Sequence, residues 1–215
     1  MPQTKFLICQ PDPNERPKAV RTALRDTHCA HDIVPCYESN AVDRVPREYA
    51  GLIVLGGGTR SADEEGAYKV EKEYIRQFDE LGIPILGICL GCQLLGLQWN
   101  GKISRQRSLV DNGWTDIELT KCGAQDDVVQ CVGAGASVYQ HHYDFCYFPP
   151  RTSVQILAYS SGSSIKHCEA FQKERSYGVQ FHPERTRRPP DENSRAGLKM
   201  LKRWIRVPLA AQASD

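Results

Sequence analysis

Residues 84–93, with the sequence PILGICLGCQ, decide the fold of this chain. The apolar run over 83–88 predicts a short buried strand, and the leucines that follow the stretch have helical spacing. Cys89 stands at the junction, with Gly87 two residues before it and Gly91 two residues after it. Glycines at both places let a strand turn sharply into a helix, because no side chain obstructs the turn. The stretch therefore predicts an exposed cysteine at a helix N-terminus, where the helix dipole favours the thiolate.

A cysteine nucleophile needs a base and a group that orients the base, and residues 177–184, YGVQFHPE, offer both. His182 follows an apolar strand, and Glu184 lies two residues further on. A strand end can place both side chains in one cleft, with His182 as base and Glu184 fixing its tautomer. Taken alone, these residues would be interpreted as a buried thiol, a core histidine and a surface charge. Their combination favours a catalytic site in the order Cys, His, Glu.

A third element precedes the cysteine, since residues 52–58, LIVLGGG, predict a buried strand that runs into a glycine loop. The motifs GICLGCQ and QFHPE, together with this loop, resemble the class I (triad) glutamine amidotransferases. They occur in the family's order, with about 30 and about 90 residues between them. The resemblance extends over nearly the whole chain, from about residue 6 to about residue 184.

The resemblance implies a reaction in which the Cys89 thiolate attacks the γ-carboxamide of glutamine. His182 would protonate the departing ammonia, and water would then hydrolyse the γ-glutamyl thioester. The backbone amides of Gly57 and Leu90 would form the oxyanion hole, whose loss typically lowers the rate about 10²–10³-fold. The reaction needs neither a metal nor an organic cofactor, and we predict none.

The resemblance also implies substrate contacts outside the triad. Gln93 lies one turn beyond the nucleophile, and residues 111–114, DNGW, resemble a stretch whose backbone lines the glutamine pocket. Residues 138–144, VYQHHYD, resemble an active-site loop of stand-alone relatives similar to the amidotransferase half of GMP synthase. His141 takes the tryptophan place in that loop and His142 the histidine place. The predicted contacts are Gly58, Gln93, Asn112, Gly113, Trp114 and His142.

Each of these contacts has a structural alternative. Gln93 could be a polar helix residue with local hydrogen bonds, Trp114 could belong to the core, and residues 138–144 could form an exposed polar loop. Gly58 stands where many relatives have proline, so the oxyanion loop is expected to be more mobile.

Strands and helices alternate over the first hundred residues, which predicts a parallel sheet with helices on both faces. The later strands predict an antiparallel extension of that sheet. We therefore expect an open, mostly parallel, flavodoxin-like α/β fold. The predicted strands are 5–9, 32–36, 52–55, 83–88, 102–104, 114–120, 128–132, 154–158 and 165–171, and the predicted helices are 14–25 with Asn14 as cap, 68–81, one after Cys89, and 192–205.

Length and composition narrow the class of protein. The 215 residues predict one domain over 1–215, with a core of about 5–206 and a frayed tail over 207–215, and the resemblance implies that it is an amidotransferase domain. A net charge of +1 gives no general case for nucleic acid or an anionic membrane, and the basic cluster 185–188 is interpreted as a solvated loop. With no secretion signal and no membrane-spanning stretch, a cytoplasmic location is expected, with the nine cysteines reduced.

The leading prediction is a glutamine amidotransferase or glutaminase that passes ammonia to a separate synthetase. The glycine loop at 56–59 lacks the lysine of a phosphate-binding loop, so no nucleotide-dependent step is predicted on this chain. A hydrolase of γ-glutamyl peptides or conjugates with the same triad is the main alternative. A non-catalytic binding protein and a redox protein using Cys89 and Cys92 are less favoured.

Overall fold

The computed structural model describes residues 4–38, 42–105, 111–133, 137–161, 166–187 and 191–212. These residues form a nine-stranded sheet, a two-stranded ribbon and four α-helices. The strands are β1 (Lys5–Gln10), β2 (Ala30–Pro35), β3 (Gly51–Val54), β4 (Ile85–Ile88), β5 (Lys102–Arg105), β6 (Asp111–Leu119), β7 (Ser137–His142), β8 (Asp144–Tyr147), β9 (Gln155–Ser160), β10 (Cys168–Lys173) and β11 (Ser176–Val179), and the helices are α1 (Lys18–Asp26), α2 (Lys69–Glu80), α3 (Leu90–Gln98) and α4 (Glu192–Gln212).

The sheet has the strand order β2-β1-β3-β4-β11-β10-β9-β6-β7. The strands from β2 to β11 in this order are parallel to their neighbours, and those from β10 to β7 add antiparallel pairs. β5 and β8 form the separate antiparallel ribbon. The predicted open, mostly parallel sheet with an antiparallel extension is confirmed.

Both faces of the parallel strands are buried, because successive side chains of a strand point to opposite faces. Phe6 and Ile8 of β1 pack in the core shared with α1 and α4, where Phe6 meets Trp204 with ring centroids 5.9 Å apart. Leu7 and Cys9 of the same strand pack in the core shared with α2 and α3. Continuous apolar strands are typical of parallel sheets covered by helices on both sides.

The first and last helices begin or end at residues different from those predicted. α1 begins at Lys18 after Pro17, and no side chain of the described residues caps it, so the prediction of Asn14 as its cap was wrong. The backbone N–H of Asn14 instead donates to Asp12 Oδ1 at 2.8 Å, which holds residues 12–16 in a loop. α4 continues to Gln212, so residues 207–212 are helical rather than frayed. Ile165, Arg188 and residues 213–215, which carried sequence predictions, lie outside the described residues.

Two further segments have a secondary structure different from the one predicted. Val129–Val132 is a 3₁₀ turn and not a strand. Asp126 Oδ1 accepts from the N–H groups of Val128 at 3.0 Å and Val129 at 2.7 Å, and this cap starts the turn. Residues 138–144 are not a loop, because they form most of β7 and the beginning of β8.

The carboxyl ends of the parallel strands meet at one edge of the sheet, where ligands bind in open α/β folds. The loops after β1, β3, β4 and β11 therefore converge, and they carry Asp12, the glycine loop, Cys89 and His182. No helix within the described ranges is long and apolar enough to cross a membrane.

Candidate active site

Cys89 lies in a strained turn between β4 and α3, with φ +51° and ψ −106°. This backbone conformation is rare for a residue with a side chain, and such strain is typical of functional sites. The turn depends on both flanking glycines. A Cβ at Gly87 would overlap the carbonyl oxygen of Gly91, and a Cβ at Gly91 would overlap the carbonyl oxygen of Val54. The turn forms here because glycine at both positions lets these backbone segments pass each other at distances that would exclude any side chain.

His182 and Glu184 form a buried pair beside Cys89. His182 Nδ1 lies 2.6 Å from Glu184 Oε1, and the two side chains are 2% and 10% exposed. A Cβ at Gly56 would lie 2.8 Å from His182 Cε1 and 3.1 Å from Cys89 Cβ, so this glycine leaves the histidine and the cysteine room to approach each other.

The charges of this group determine its protonation. Burial alone would lower the pKa of His182, but the negative charges of Glu184 and the Cys89 thiolate, with their hydrogen bonds, raise that pKa well above its usual range. Burial alone would raise the pKa of Glu184, but the positive charge of His182 holds it below its usual range. The arrangement therefore favours a protonated His182 paired with an ionised Glu184.

The glycine loop after β3 adopts a conformation that side chains rarely allow. Gly57 and Gly58 have φ +100° and φ +98°. The Gly58 N–H donates to Asp12 Oδ2 at 3.2 Å, and a Cβ at Gly57 would lie 2.6 Å from Asp12 Cβ. The loop is thus held against the loop that follows β1. Across from it, Leu90 is the first residue of α3, where a backbone N–H has no intrahelical partner.

These elements enclose a cavity of about 310 Å³. Seven of the residues predicted for the site line this cavity, whereas Glu184 lies behind His182. The seven are Gly57, Gly58, Cys89, Leu90, Gln93, His142 and His182, and the rest of the wall is formed by Glu15, Thr59, Arg60, Ser61, His141, Tyr143 and Asp144. The three sequence motifs, which stand at residues 52–58, 87–93 and 180–184, therefore converge on one space.

Three predicted contact residues are not part of this wall as far as the structure describes it. Asn112 and Trp114 lie on β6, which pairs with β7. Asn112 Oδ1 lies 3.1 Å from His141 Nδ1, so Asn112 reaches the cavity only through His141. Trp114 packs edge-on to Tyr139 and beneath the guanidinium of Arg187, 4.5 Å from its ring centroid. Gly113, between them, has φ +96°.

Gln180 is a site residue that the sequence analysis missed. Its Nε2 lies 3.7 Å from Cys89 Sγ, and its Oε1 accepts from Gln93 Nε2 at 3.3 Å. Gln93 Nε2 also donates to the carbonyl oxygen of Asp144 at 2.8 Å. A period of two along the chain could have revealed Gln180, because residues 180 and 182 point to the same side of an extended segment.

A cysteine that enters a helix through a strained turn, beside a histidine paired with a carboxylate, defines an α/β enzyme with a cysteine nucleophile. The family model described as "Glutamine amidotransferase class-I" matches residues 17–196. The chain therefore belongs to the class I glutamine amidotransferases, a family of glutamine-hydrolysing enzymes with a cysteine nucleophile.

Individual relatives agree with this family. The glutamine-hydrolysing GMP synthase of Clostridium kluyveri is 29% identical over 182 residues, which are 85% of this chain and 32% of that protein. The chain thus spans about a third of the length of the curated relatives that it matches. Crystal structures of glutamine amidotransferases from Thermotoga maritima and Methylobacillus flagellatus have TM-scores of 0.78 and 0.79 and identities of 21% and 18%. The first similarity covers 100% of both chains and the second 95% of both. At these identities they establish the fold.

Proposed function

We propose that this chain hydrolyses the side-chain amide of glutamine to glutamate and ammonia through Cys89, His182 and Glu184. The observation that carries the proposal is the buried His182–Glu184 pair, at 2.6 Å, packed beside a cysteine in a strained turn. Cys89 has a base in His182, and His182 has an orienting carboxylate in Glu184, as a thiolate mechanism requires.

The reaction proceeds in two halves. The Cys89 thiolate forms a bond to the γ-carbonyl carbon of glutamine, and the His182 imidazolium gives its proton to the amide nitrogen, which leaves as ammonia. His182 then takes a proton from water as the hydroxyl attacks the γ-glutamyl thioester. The carbon–sulfur bond breaks, glutamate leaves, and the thiolate is restored. The raised pKa of His182 supports its role as the acid of the first half.

The tetrahedral intermediate of each half carries a negative oxygen. We assign its stabilisation to the backbone N–H groups of Gly57 and Leu90, because both residues line the cavity beside Cys89. Fixed donors of this kind stabilise developing charge without reorganisation during the reaction. The contacts of the glycine loop with Asp12 support such a fixed position.

The size and charge of the cavity favour a free amino acid as substrate. At about 310 Å³, the cavity is at the low end of small-molecule sites, which are typically about 300–1,000 Å³. Glu15 and Arg60 lie on the same wall and carry opposite charges, as the α-ammonium and α-carboxylate of free glutamine require. Gly58, Gln93 and His142 are the proposed contacts along the side chain, and the backbone of residues 112–114 would act through His141.

We further propose that the ammonia is passed to a separate synthetase. The support is the name of the curated relatives, which are glutamine-hydrolysing GMP synthases, and the third of their length that this chain matches. The identity of the nitrogen acceptor would follow from the synthetase that binds this chain.

The test is release of ammonia and glutamate from glutamine by the purified chain, compared with Cys89→Ala. Cys92→Ala is the matched control, because Cys92 lies one turn further along α3 and burial raises the pKa of its thiol well above the usual range. We expect the release to disappear in Cys89→Ala and to persist in Cys92→Ala. γ-Glutamyl dipeptides are assayed in parallel.

Other results would change the proposal. Cleavage of dipeptides without hydrolysis of glutamine would assign the chain to the γ-glutamyl hydrolases. Equal activity in the Cys89→Ala variant would refute the thiolate mechanism. Loss of activity in Cys92→Ala together with a reversible disulfide in the unmodified chain would favour a redox function.

A further inference from the structure

Three buried side chains meet at the back of the cavity wall, and amide hydrolysis leaves two of them without a role. His142 ends β7, His167 immediately precedes β10, and Glu169 is the second residue of β10. These residues are 7%, 2% and 0% exposed. One nitrogen of each ring and a carboxylate oxygen all lie within 4.8 Å of one another. Two imidazoles and a carboxylate buried together form a possible set of metal ligands.

The hydrogen bonds of His142 leave two acceptor atoms facing each other. Its Nδ1 lies 3.1 Å from the carbonyl oxygen of Asp144, which only accepts, and we assign the proton of the neutral ring to Nδ1. Nε2 then presents a lone pair, and Oε1 of Gln140 lies 3.1 Å from it. The Gln140 amide oxygen is also an acceptor, so it and the Nε2 lone pair of His142 repel each other. A positively charged group near both atoms would remove this repulsion.

A rotated Gln140 amide does not resolve this conflict. Gln140 Nε2 donates to Glu169 Oε2 at 2.7 Å, so rotating the amide would turn its oxygen toward a carboxylate. Neutral imidazole is the form of histidine that binds metal ions.

We propose that His142 Nε2, His167 Nε2 and Glu169 Oε1 bind one Zn²⁺ ion behind the cavity wall. Two histidines and a carboxylate are an established zinc ligand set, and a fourth position is left for water. Tetrahedral zinc with bonds of about 2.0–2.2 Å places its ligands roughly 3.3–3.6 Å apart. That spacing lies between the 2.8 Å that separates His167 Nε2 from Glu169 Oε1 and the 4.8 Å that bounds the cluster.

The surrounding hydrogen bonds are those that metal ligands typically have. A metal-bound histidine usually donates its second N–H to a carbonyl, as His142 does to Asp144. A metal-bound carboxylate usually accepts a hydrogen bond on its other oxygen, as Glu169 Oε2 does from Gln140. The Asp144 carbonyl also accepts from Gln93, so the ion would hold in place the wall that contacts substrate. The role is structural, because the triad supplies all the groups of the hydrolysis.

The experiment measures metal binding directly. The full chain is freed of metal with a chelator, titrated with Zn²⁺ and assayed for bound zinc after gel filtration, and the titration is repeated with Co²⁺ for its absorption spectrum. We expect one zinc per chain and a tetrahedral cobalt spectrum without sulfur-to-cobalt charge transfer. His167→Gln and Glu169→Gln should each weaken binding at least about 100-fold, and Gln140→Leu about 10–100-fold.

Two control variants address the other places where a metal could bind. Cys89→Ser removes the active-site thiol, and His182→Gln breaks the second group of potential ligands, Glu15, His182 and Glu184. Both should retain the zinc. Failure of the unmodified chain to hold stoichiometric zinc would overturn the proposal, as would binding that survives His167→Gln and Glu169→Gln or is lost with Cys89→Ser.

The cobalt spectrum of the unmodified chain decides the question even if the ligand variants do not fold. Charge transfer from sulfur would place the ion on a cysteine and refute the His142–His167–Glu169 site. Because none of these measurements uses glutamine, a failed zinc site would leave the proposed hydrolysis untouched.

Discussion

The side-chain amide of Gln180 lies 3.7 Å from the sulfur of Cys89, measured from Nε2 to Sγ. The Gln180 amide is fully buried, and its oxygen accepts a hydrogen bond from Gln93 Nε2. Gln93, which lies on α3, therefore fixes the direction in which the Gln180 N–H group points. A fixed neutral donor beside a thiolate stabilises the charge without competing for the proton. Gln180 therefore complements His182, the proposed cationic partner of the same sulfur.

Replacing Gln180 with leucine should slow the reaction of Cys89. A hydrogen bond to a charged group contributes about 1.5–3 kcal/mol, so its loss should lower the rate of alkylation by iodoacetamide roughly 10–100-fold at neutral pH. The KM for glutamine should change little, because Gln93 of the cavity wall keeps its other hydrogen bond, to the Asp144 carbonyl, when Gln180 is replaced. Alkylation is followed by mass spectrometry on Cys89.

Gln172→Leu is the control for this change, because Gln172 makes its hydrogen bonds to the Glu174 carbonyl and the Tyr177 hydroxyl, away from Cys89. An unchanged alkylation rate in Gln180→Leu would show that the contact does not stabilise the thiolate.

The elbow at Cys89 was predictable because its requirements are local. A strand, a cysteine and two glycines within five residues specify a turn that tolerates no Cβ, and the structure shows the backbone atoms that such a Cβ would meet. The alternation of strands and helices likewise specified the parallel half of the sheet, since each βα unit carries its own pattern.

Gly91→Ala tests that local requirement. In an exposed helix, glycine to alanine would stabilise the protein by about 1 kcal/mol. Here the new Cβ would overlap the Val54 carbonyl oxygen, so we expect a loss of about 1–3 kcal/mol in the free energy of unfolding and loss of glutaminase activity. Urea denaturation and the activity assay measure the two effects.

The matched change is Gly82→Ala, where a new Cβ would have no described atom within 4 Å and only the φ of +64° opposes alanine. It should cost about 1–2 kcal/mol and leave the activity intact. An active, stable Gly91→Ala enzyme would mean that the strand–helix turn can relax without displacing Cys89.

Other parts of the site could not be predicted, because they depend on pairings between distant strands. His142, His167 and Glu169 meet only after the antiparallel half of the sheet has formed, and no short motif links them. The 3₁₀ turn at Val129–Val132 has the composition of a strand, and its true form is decided by the cap from Asp126. Asn14 was a suitable cap residue, but Asp12 holds its backbone in the preceding loop.

The Glu184 carboxylate should control the acid–base behaviour of His182. In Glu184→Gln the negative charge is lost, and the pKa of His182, which is held well above its usual range, should fall. We expect kcat to decrease about 10²–10⁴-fold, as when the orienting acid of a triad becomes an amide. NMR titration of the His182 ring in both proteins measures the shift, and an unchanged pKa would contradict the assignment of its cause.

The same pair makes stability depend on pH in a defined direction. His182 has a raised pKa in the folded state, so its contribution is complete below the unfolded value of about 6.5 and is lost as pH rises through the folded pKa. Glu184 has a lowered pKa, so its contribution is present above about 4.3 and is lost as pH falls through its folded pKa. The unmodified chain should therefore exceed Glu184→Gln in free energy of unfolding, measured with urea, by the largest amount between about pH 4.3 and pH 6.5. An advantage that grows steadily into alkaline solution would contradict this prediction.

Arg60 should determine the affinity for free glutamine without affecting the chemical step. It lies on the cavity wall, where Glu64 orients its guanidinium at 2.9 Å from Nε to Oε1, and it is the proposed partner of the α-carboxylate. Arg60→Ala should raise KM for glutamine roughly 5–10-fold with little change in kcat, because a bidentate contact to a carboxylate is equally strong in ground and transition states.

Arg76→Ala provides the matched control, since Arg76 is also exposed and paired with glutamates, but on α2 away from the cavity. Its kinetics should equal those of the unmodified chain. If Arg60→Ala lowers kcat and leaves KM unchanged, the residue positions the glycine loop rather than the substrate. If it changes neither, the α-carboxylate binds elsewhere on the wall, and the cavity's charges no longer favour a free amino acid over a γ-glutamyl peptide.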